Sequence, residues 1–98
     1  MYFQITYCMR NEDTRIFSHL PVTHMVTTDR KEAEKWFDAA VKKAQRSHFN
    51  KLISVEDKKP NCMCSLKEAQ FECGEPGYVK GRFLINLTCY SHNPMSDN

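Results

Sequence analysis

The fold is decided by residues 29–47, which read DRKEAEKWFDAAVKKAQRS. Apolar side chains recur there in steps of three and one, which is the spacing of a single face of an amphipathic helix. The apolar positions of this face are Ala33, Trp36, Phe37, Ala40, Val41 and Ala44. The stretch therefore predicts a helix of about four to five turns that ends near Ser47 and packs Trp36 and Phe37 into a core.

Both ends of this helix carry matching signals. Asp29 and Glu32 have the spacing of a capping box, in which the aspartate accepts from early backbone N–H groups and the glutamate reaches back to the cap. Lys42, Lys43 and Arg46 fall in the C-terminal half, where cations favour the helix dipole. The boundaries of the helix are thus predicted independently of its apolar face.

Strand patterns flank the helix on both sides. Before it, residues 2–10 alternate side chains with a period of two, and residues 16–20 fit a short strand that Pro21 confines to an edge or an end. After it, residues 52–55 and 78–90 have the β-branched and aromatic content of strands. We expect strands before and after one central helix.

The segment 62–72 fits two structures. Cys62, Cys64 and Leu66 alternate as in a strand, whereas residues 65–68 also fit the capping box of a short helix. We favour a strand through Leu66 followed by an irregular segment. Residues 74–77 read as a turn, and Gly81 indicates a bulge near the start of the last strand.

These elements predict an α+β fold with two layers, an antiparallel sheet of about four to five strands with one amphipathic helix packed on one face. We expect one domain over residues 1–92 and a flexible polar tail over residues 93–98.

Composition narrows the class of protein. The chain has 98 residues, a net charge of +2 and five cysteines, and its pI is about 8.3. This pI gives nucleic-acid binding only modest support, because such domains usually exceed a pI of about 9. The odd cysteine count rules out a fully paired disulfide framework, and residues 1–7 do not read as a signal peptide. We expect a cytoplasmic protein with reduced thiols, most of them in the core, and no membrane contact.

Catalytic motifs are missing from the sequence. It contains no G-x-S-x-G, no H-E-x-x-H and no P-loop, and its histidines are scattered outside any recognisable motif. We therefore expect that the protein is not an enzyme and has no cofactor.

A structural zinc site is the alternative for which the sequence offers a specific set of ligands. Cys62-x-Cys64, Cys73 and either Cys89 or His92 supply four ligands of the kind that zinc takes. Because no second closely spaced cysteine pair accompanies the first, buried thiols are the favoured interpretation and structural zinc the alternative.

The outer face of the predicted helix is the candidate partner-binding surface. We assign partner contacts to its cations and to tyrosines near strand ends, where they can anchor in a partner or stack on bases. A solvated helix face is the competing explanation, and Asp38 and Lys42 are expected to pair at i,i+4. The candidate residues are Lys31, Lys35, Lys42, Lys43, Arg46, Tyr78 and Tyr90.

In this layout of strand start, single helix and strand-rich remainder, the chain resembles the small accessory proteins of phages and mobile elements, including anti-CRISPR inhibitors. The resemblance covers the overall format and no specific residue. It implies a non-enzymatic inhibitor that binds a host protein complex, either a CRISPR-Cas-like defence complex or one that processes nucleic acid. The alternatives are a small RNA- or DNA-binding domain that uses the basic helix face, and the structural zinc protein.

Overall fold

The computed structural model describes residues 1–11, 16–21, 26–58, 65–75 and 78–94. Within these ranges it contains five strands and one helix, as the sequence predicts. The elements are β1 (Tyr2–Asn11), β2 (Ile16–Pro21), α1 (Arg30–Gln45), β3 (Asn50–Asp57), β4 (Ser65–Glu75) and β5 (Tyr78–Tyr90).

The strands form one antiparallel sheet in the order β2-β1-β5-β4-β3. The hairpin partners β1–β2, β3–β4 and β4–β5 are neighbours in sequence, whereas β1 pairs with β5 from the opposite end of the chain. β5, the last strand, therefore lies at the centre, and β2 and β3 are the two edges. The α+β fold with one helix on one antiparallel sheet is confirmed, including the edge position predicted for the strand that ends in Pro21.

The N-terminus of α1 is capped as predicted on one side and differently on the other. The Asp29 carboxylate accepts from the Lys31 backbone N–H at 3.0 Å. The Asp29 backbone N–H donates to the Thr27 hydroxyl at 3.0 Å, and that hydroxyl donates to Glu32 at 3.4 Å. The Thr27 hydroxyl thus bridges the Asp29 backbone N–H and the Glu32 carboxylate, which bond directly in a capping box. Two backbone hydrogen bonds to Phe3 hold Thr27 in this position.

The core lies between α1 and one face of the sheet. Phe37 is the largest fully buried residue of the helix, and it belongs to the same buried cluster as Phe71 of β4 and Ile85 and Leu87 of β5. Trp36 packs against this cluster while remaining partly exposed. Residues of α1 contact β5, β1 and β3. Burying one helix stripe against one sheet face satisfies the apolar pattern from which the fold was predicted.

The prediction for the segment after Leu66 was wrong, because residues 65–75 form one continuous strand. Ala69 and Phe71 are fully buried beneath the helix and pair with β5 on one side and β3 on the other. Polar Glu68 and Gln70 alternate with these two buried residues, so the segment has the period-two pattern of a strand. A register shift beside Leu66 interrupts this pattern at the residue where the sequence analysis ended the strand.

The predicted bulge near the start of β5 is present. Across β4 and β5, Cys73 pairs with Gly81 while Gly74 pairs with Val79, which leaves one extra residue on β5. Gly74 takes a positive φ of 151° at this shift, a conformation open chiefly to glycine. The turn predicted over residues 74–77 is wrong for residues 74 and 75, which belong to β4, and residues 76–77 lie outside the described residues, as do residues 95–98 of the predicted tail.

Candidate functional site

The outer face of α1 carries a stripe of cations. At 3.6 residues per turn, Lys31, Lys35, Lys42 and Arg46 fall within about 60° of one another around the helix axis. The buried residues Ala33, Phe37 and Val41 lie on the opposite side of the axis. The four basic side chains are all exposed, and they span about 22 Å of helix at 1.5 Å per residue. We call these four residues the cationic stripe.

Lys43 differs from the other predicted helix contacts. It is exposed, but it points about 60–120° away from the members of the cationic stripe. The structure therefore brings together four of the five basic residues that the sequence singled out and places Lys43 on a flank.

No member of the cationic stripe forms an ion pair within the described part of the chain. The ion pairs there use Arg30 with Glu34 at 3.4 Å, Lys58 with two glutamates, and Arg82 with Glu72 at 3.7 Å. The expected pair between Asp38 and Lys42 is not formed. Such a pair at an exposed i,i+4 position gains at most about 0.5 kcal/mol, which hardly offsets the ordering of a long lysine side chain.

The helix dipole separates a structural role from a binding role within the cationic stripe. Lys42 lies in the last turn, where a cation stabilises the helix. Lys31 lies in the first turn, and its backbone N–H is one of the groups that the Asp29 cap satisfies. A cation at this end opposes the dipole. Helix stability therefore explains Lys42 but not Lys31.

The two candidate tyrosines do not join the cationic stripe. Tyr90 pairs with Tyr2, one step beyond the Phe3–Cys89 pair that faces the helix. Because successive side chains of a strand point to opposite faces, Tyr90 lies on the sheet face away from α1. Tyr78 begins the same strand about 40 Å from Tyr90, and its side chain lies outside the described set.

Exposed apolar side chains follow the C-terminal end of the helix in the chain. Phe49 comes three residues after Arg46 and is 46% exposed, with its ring 4.1 Å from that of His48. Ile53 and Val55 on the edge strand β3 are exposed to a similar extent. The sequence did not predict the exposure of these side chains, because the composition of residues 52–55 is that of a buried strand and only the sheet order places the strand at an edge.

The candidate metal ligands are not brought together as far as the structure describes them. Cys73 lies opposite Gly81, whereas Cys89 stands eight residues further along β5, about 27 Å away. One metal ion cannot contact both. Cys62 and Cys64 lie outside the described residues, and no group of three potential ligands occurs in the remainder.

The cysteine thiols that the structure describes are suited to packing. Cys8 and Cys89 are buried, as expected of core cysteines, and neither they nor Cys73 form disulfides. Burial raises the pKa of the Cys8 thiol, and the charge of Glu68 raises it further. A raised pKa lowers the fraction of thiolate, which is the form of cysteine that acts as a nucleophile.

The sheet face away from the helix contains a second feature that the sequence did not predict. Three polar residues are buried there, Gln4 and Thr6 on β1 and Asn86 on β5. The Asn86 side-chain oxygen accepts from the Ser65 hydroxyl at 3.4 Å, whereas the Thr6 hydroxyl has no hydrogen-bond partner among the residues that the structure describes. The available signal was the lack of charge on this face of β1 and β5 at residues 4, 6, 8, 84, 86 and 88.

Comparison of the chain with family models, with curated proteins and with solved structures found no match. In the described part of the chain, no helix is both long and apolar enough to cross a membrane.

Proposed function

We propose that the protein is a non-enzymatic binding protein that docks its cationic stripe onto an acidic surface of a protein partner in a stoichiometric contact. The observation that carries this proposal is the stripe itself. Its four cations point away from the core, are exposed, and have no carboxylate partner among the described residues. Cations left unpaired in this way are available to an external anionic surface.

A protein partner is favoured over nucleic acid by Phe49, which is exposed and follows Arg46 by three residues in the chain. Aromatic residues and arginine are both enriched where protein interfaces concentrate their binding energy. Tyr90, a candidate for stacking on bases, faces the other side of the sheet.

The partner that we propose is a host complex of CRISPR-Cas-like defence or of nucleic-acid processing, which the protein inhibits by occupying its surface. The small single-domain format supports this assignment. Cys8, Cys73 and Cys89, the cysteines that the structure describes, form no disulfide, which supports a reducing compartment such as the cytoplasm.

The test compares two variants of equal net charge. Lys35→Gln/Lys42→Gln removes two charges from the cationic stripe, and Lys43→Gln/Lys51→Gln lowers the net charge by the same amount at exposed positions off the stripe. Each tagged protein is used to capture partners from nuclease-treated host lysate, and the affinity for the captured protein is then measured. We expect the stripe variant to bind roughly 5- to 30-fold more weakly and the control to bind like the wild type. Equal losses in both variants would show that only net charge matters and would refute the proposal.

Direct binding of RNA or DNA is the alternative, because the same four cations can neutralise phosphates. It predicts a steep dependence on salt. Four phosphate contacts on double-stranded DNA would weaken binding roughly 150-fold between 50 and 200 mM salt. Capture that disappears with nuclease, together with this salt dependence, would replace the protein partner by nucleic acid.

A further inference from the structure

The outer edge of β3 is a surface that the fold leaves open apart from the cationic stripe. β3 ends the sheet order, so its far side has no neighbouring strand among the described elements. Val55 is 51% exposed and Ile53 45% exposed on this strand. An edge strand with exposed apolar side chains is a ready template for pairing with another strand.

The sequence of β3 is complementary to itself when it is read in the antiparallel direction. The strand reads NKLISVED, and a two-fold axis between Ile53 and Ser54 pairs Lys51 with Glu56 and Leu52 with Val55. Each pair occurs twice, once on either side of the axis. Lys51 therefore meets Glu56 and Leu52 meets Val55, whereas Ile53 lies opposite Ser54 next to the axis.

The faces of the sheet agree with this register. Leu52 and Val55 lie opposite Phe71 and Ala69 of β4, which belong to the core beneath the helix. By the pleat of the same strands, Lys51 and Glu56 lie on the face away from the helix. The register shift between Leu52 and Ser54 is what makes this possible, since without it residues 52 and 55 would point to opposite faces.

We infer that a second copy of this chain pairs with β3 in this register and forms a continuous antiparallel sheet across a two-fold axis. The apolar pairs extend the core beyond the reach of the helix, and the charged pairs align on the other face. The axis is normal to the sheet, so both helices lie on the same side of the dimer. The inference does not depend on the proposed function, because the cationic stripe takes no part in the pairing.

A bulge and charges on an edge strand also serve to prevent pairing, and this is the competing explanation. Protective charges repel a second copy when like charges meet. Here the register that matches the faces brings Lys51 to Glu56. Glu56 already shares Lys58 with Glu68 within its own chain, at 3.8 and 3.6 Å, and all of these groups are exposed or partly exposed. In this register the charges of the β3 edge therefore attract a second copy of the chain and do not repel it.

The experiment measures mass against concentration by sedimentation equilibrium for the wild type, Lys51→Glu and Glu56→Lys. Each single variant places like charges at both ends of the pairing, so we expect the dimer to weaken by about tenfold or more. Mixed together, the two variants restore both opposite-charge pairs, and the mixture should dimerise with close to wild-type affinity. Lys43→Glu, which makes the same change of charge on the helix flank, should leave the dimer intact.

Val55→Lys tests the apolar pairs independently, because it places a cation where Leu52 of the second copy packs. It should yield a monomer whose circular dichroism matches that of the wild type. A wild-type protein that remains monomeric up to millimolar concentration would overturn the inference. So would a dimer that survives both single charge variants and Val55→Lys. Neither result bears on partner capture by the cationic stripe, so the two proposals fail separately.

Discussion

Reversing the charge of Lys31 should stabilise the protein and weaken its binding at the same time. Lys31 lies in the first turn of α1, next to the Asp29 cap. The substitution Lys31→Glu removes a cation that opposes the helix dipole and adds an anion that favours it. Each of these changes contributes about 0.3–1 kcal/mol at an exposed helix end at low ionic strength.

The sum is about 1 kcal/mol of added stability. The new glutamate gains an i,i+4 partner in Lys35 and faces Glu34 at i,i+3, and these terms are similar in size and opposite in sign. For a chain of 98 residues, about 1 kcal/mol raises the midpoint of thermal unfolding by roughly 4–8 °C.

Lys42→Glu is the matched comparison, because Lys42 belongs to the same cationic stripe but lies in the last turn. The new anion there opposes the dipole and stands at i,i+4 from Asp38, so the midpoint should fall by a similar amount. Both variants change the net charge equally, and both should bind the partner more weakly, by roughly 3- to 10-fold each.

The assay combines thermal unfolding at low ionic strength with titration calorimetry against the captured partner. If binding simply followed the stability of the fold, Lys31→Glu would bind as well as the wild type or better, and only Lys42→Glu would lose affinity. That outcome would refute the assignment of the cationic stripe as a contact surface.

Three further predictions concern the interior. Phe37→Ala should lower the free energy of unfolding, measured with urea, by about 3–5 kcal/mol, because Phe37 is fully buried. This is a large part of the roughly 5–15 kcal/mol expected of a domain. A loss below about 1 kcal/mol would contradict the burial of Phe37 in the core. Thr6→Val should leave stability unchanged or raise it by about 1 kcal/mol, since it replaces a buried hydroxyl that has no partner among the described residues; a clear loss on urea unfolding would reveal a bond at that hydroxyl. Above its ordinary pKa of 9.0, Cys8 loses its proton more readily in the unfolded chain than in the fold, so stability should fall as pH rises beyond about 9, and less steeply in Cys8→Ala. Equal slopes in urea titrations of Cys8→Ala and the wild type at pH 8–10 would contradict the raised pKa.

The parts of the fold that the sequence predicted are those where one local pattern was sufficient. The helix carried its own apolar period and its cap at Asp29, and β1 and β5 carried long alternations. The interpretation of residues 67–75 failed because a register shift at Leu66 interrupted the pattern, and pairing with two neighbouring strands overrode the weak local preference.

The candidate site divides in the same way. The cations of α1 could be found from helical spacing alone, since a helix fixes the relative directions of its own residues. The exposure of Val55, the burial of Gln4 and the separation of Tyr90 from the helix all depend on sheet order and on which face the helix covers. Those relations join residues far apart in the chain, and no local pattern encodes them.

Lysine footprinting of the complex tests the central claim most directly. The protein is acetylated with and without its captured partner after nuclease treatment, and the reactivity of each lysine is read by mass spectrometry. Lys31, Lys35 and Lys42 should become protected together, while Lys51 on the sheet face away from the helix reacts as it does in the free protein. Stripe lysines that stay as reactive in the complex as in the free chain would contradict the assignment of the cationic stripe as the contact surface.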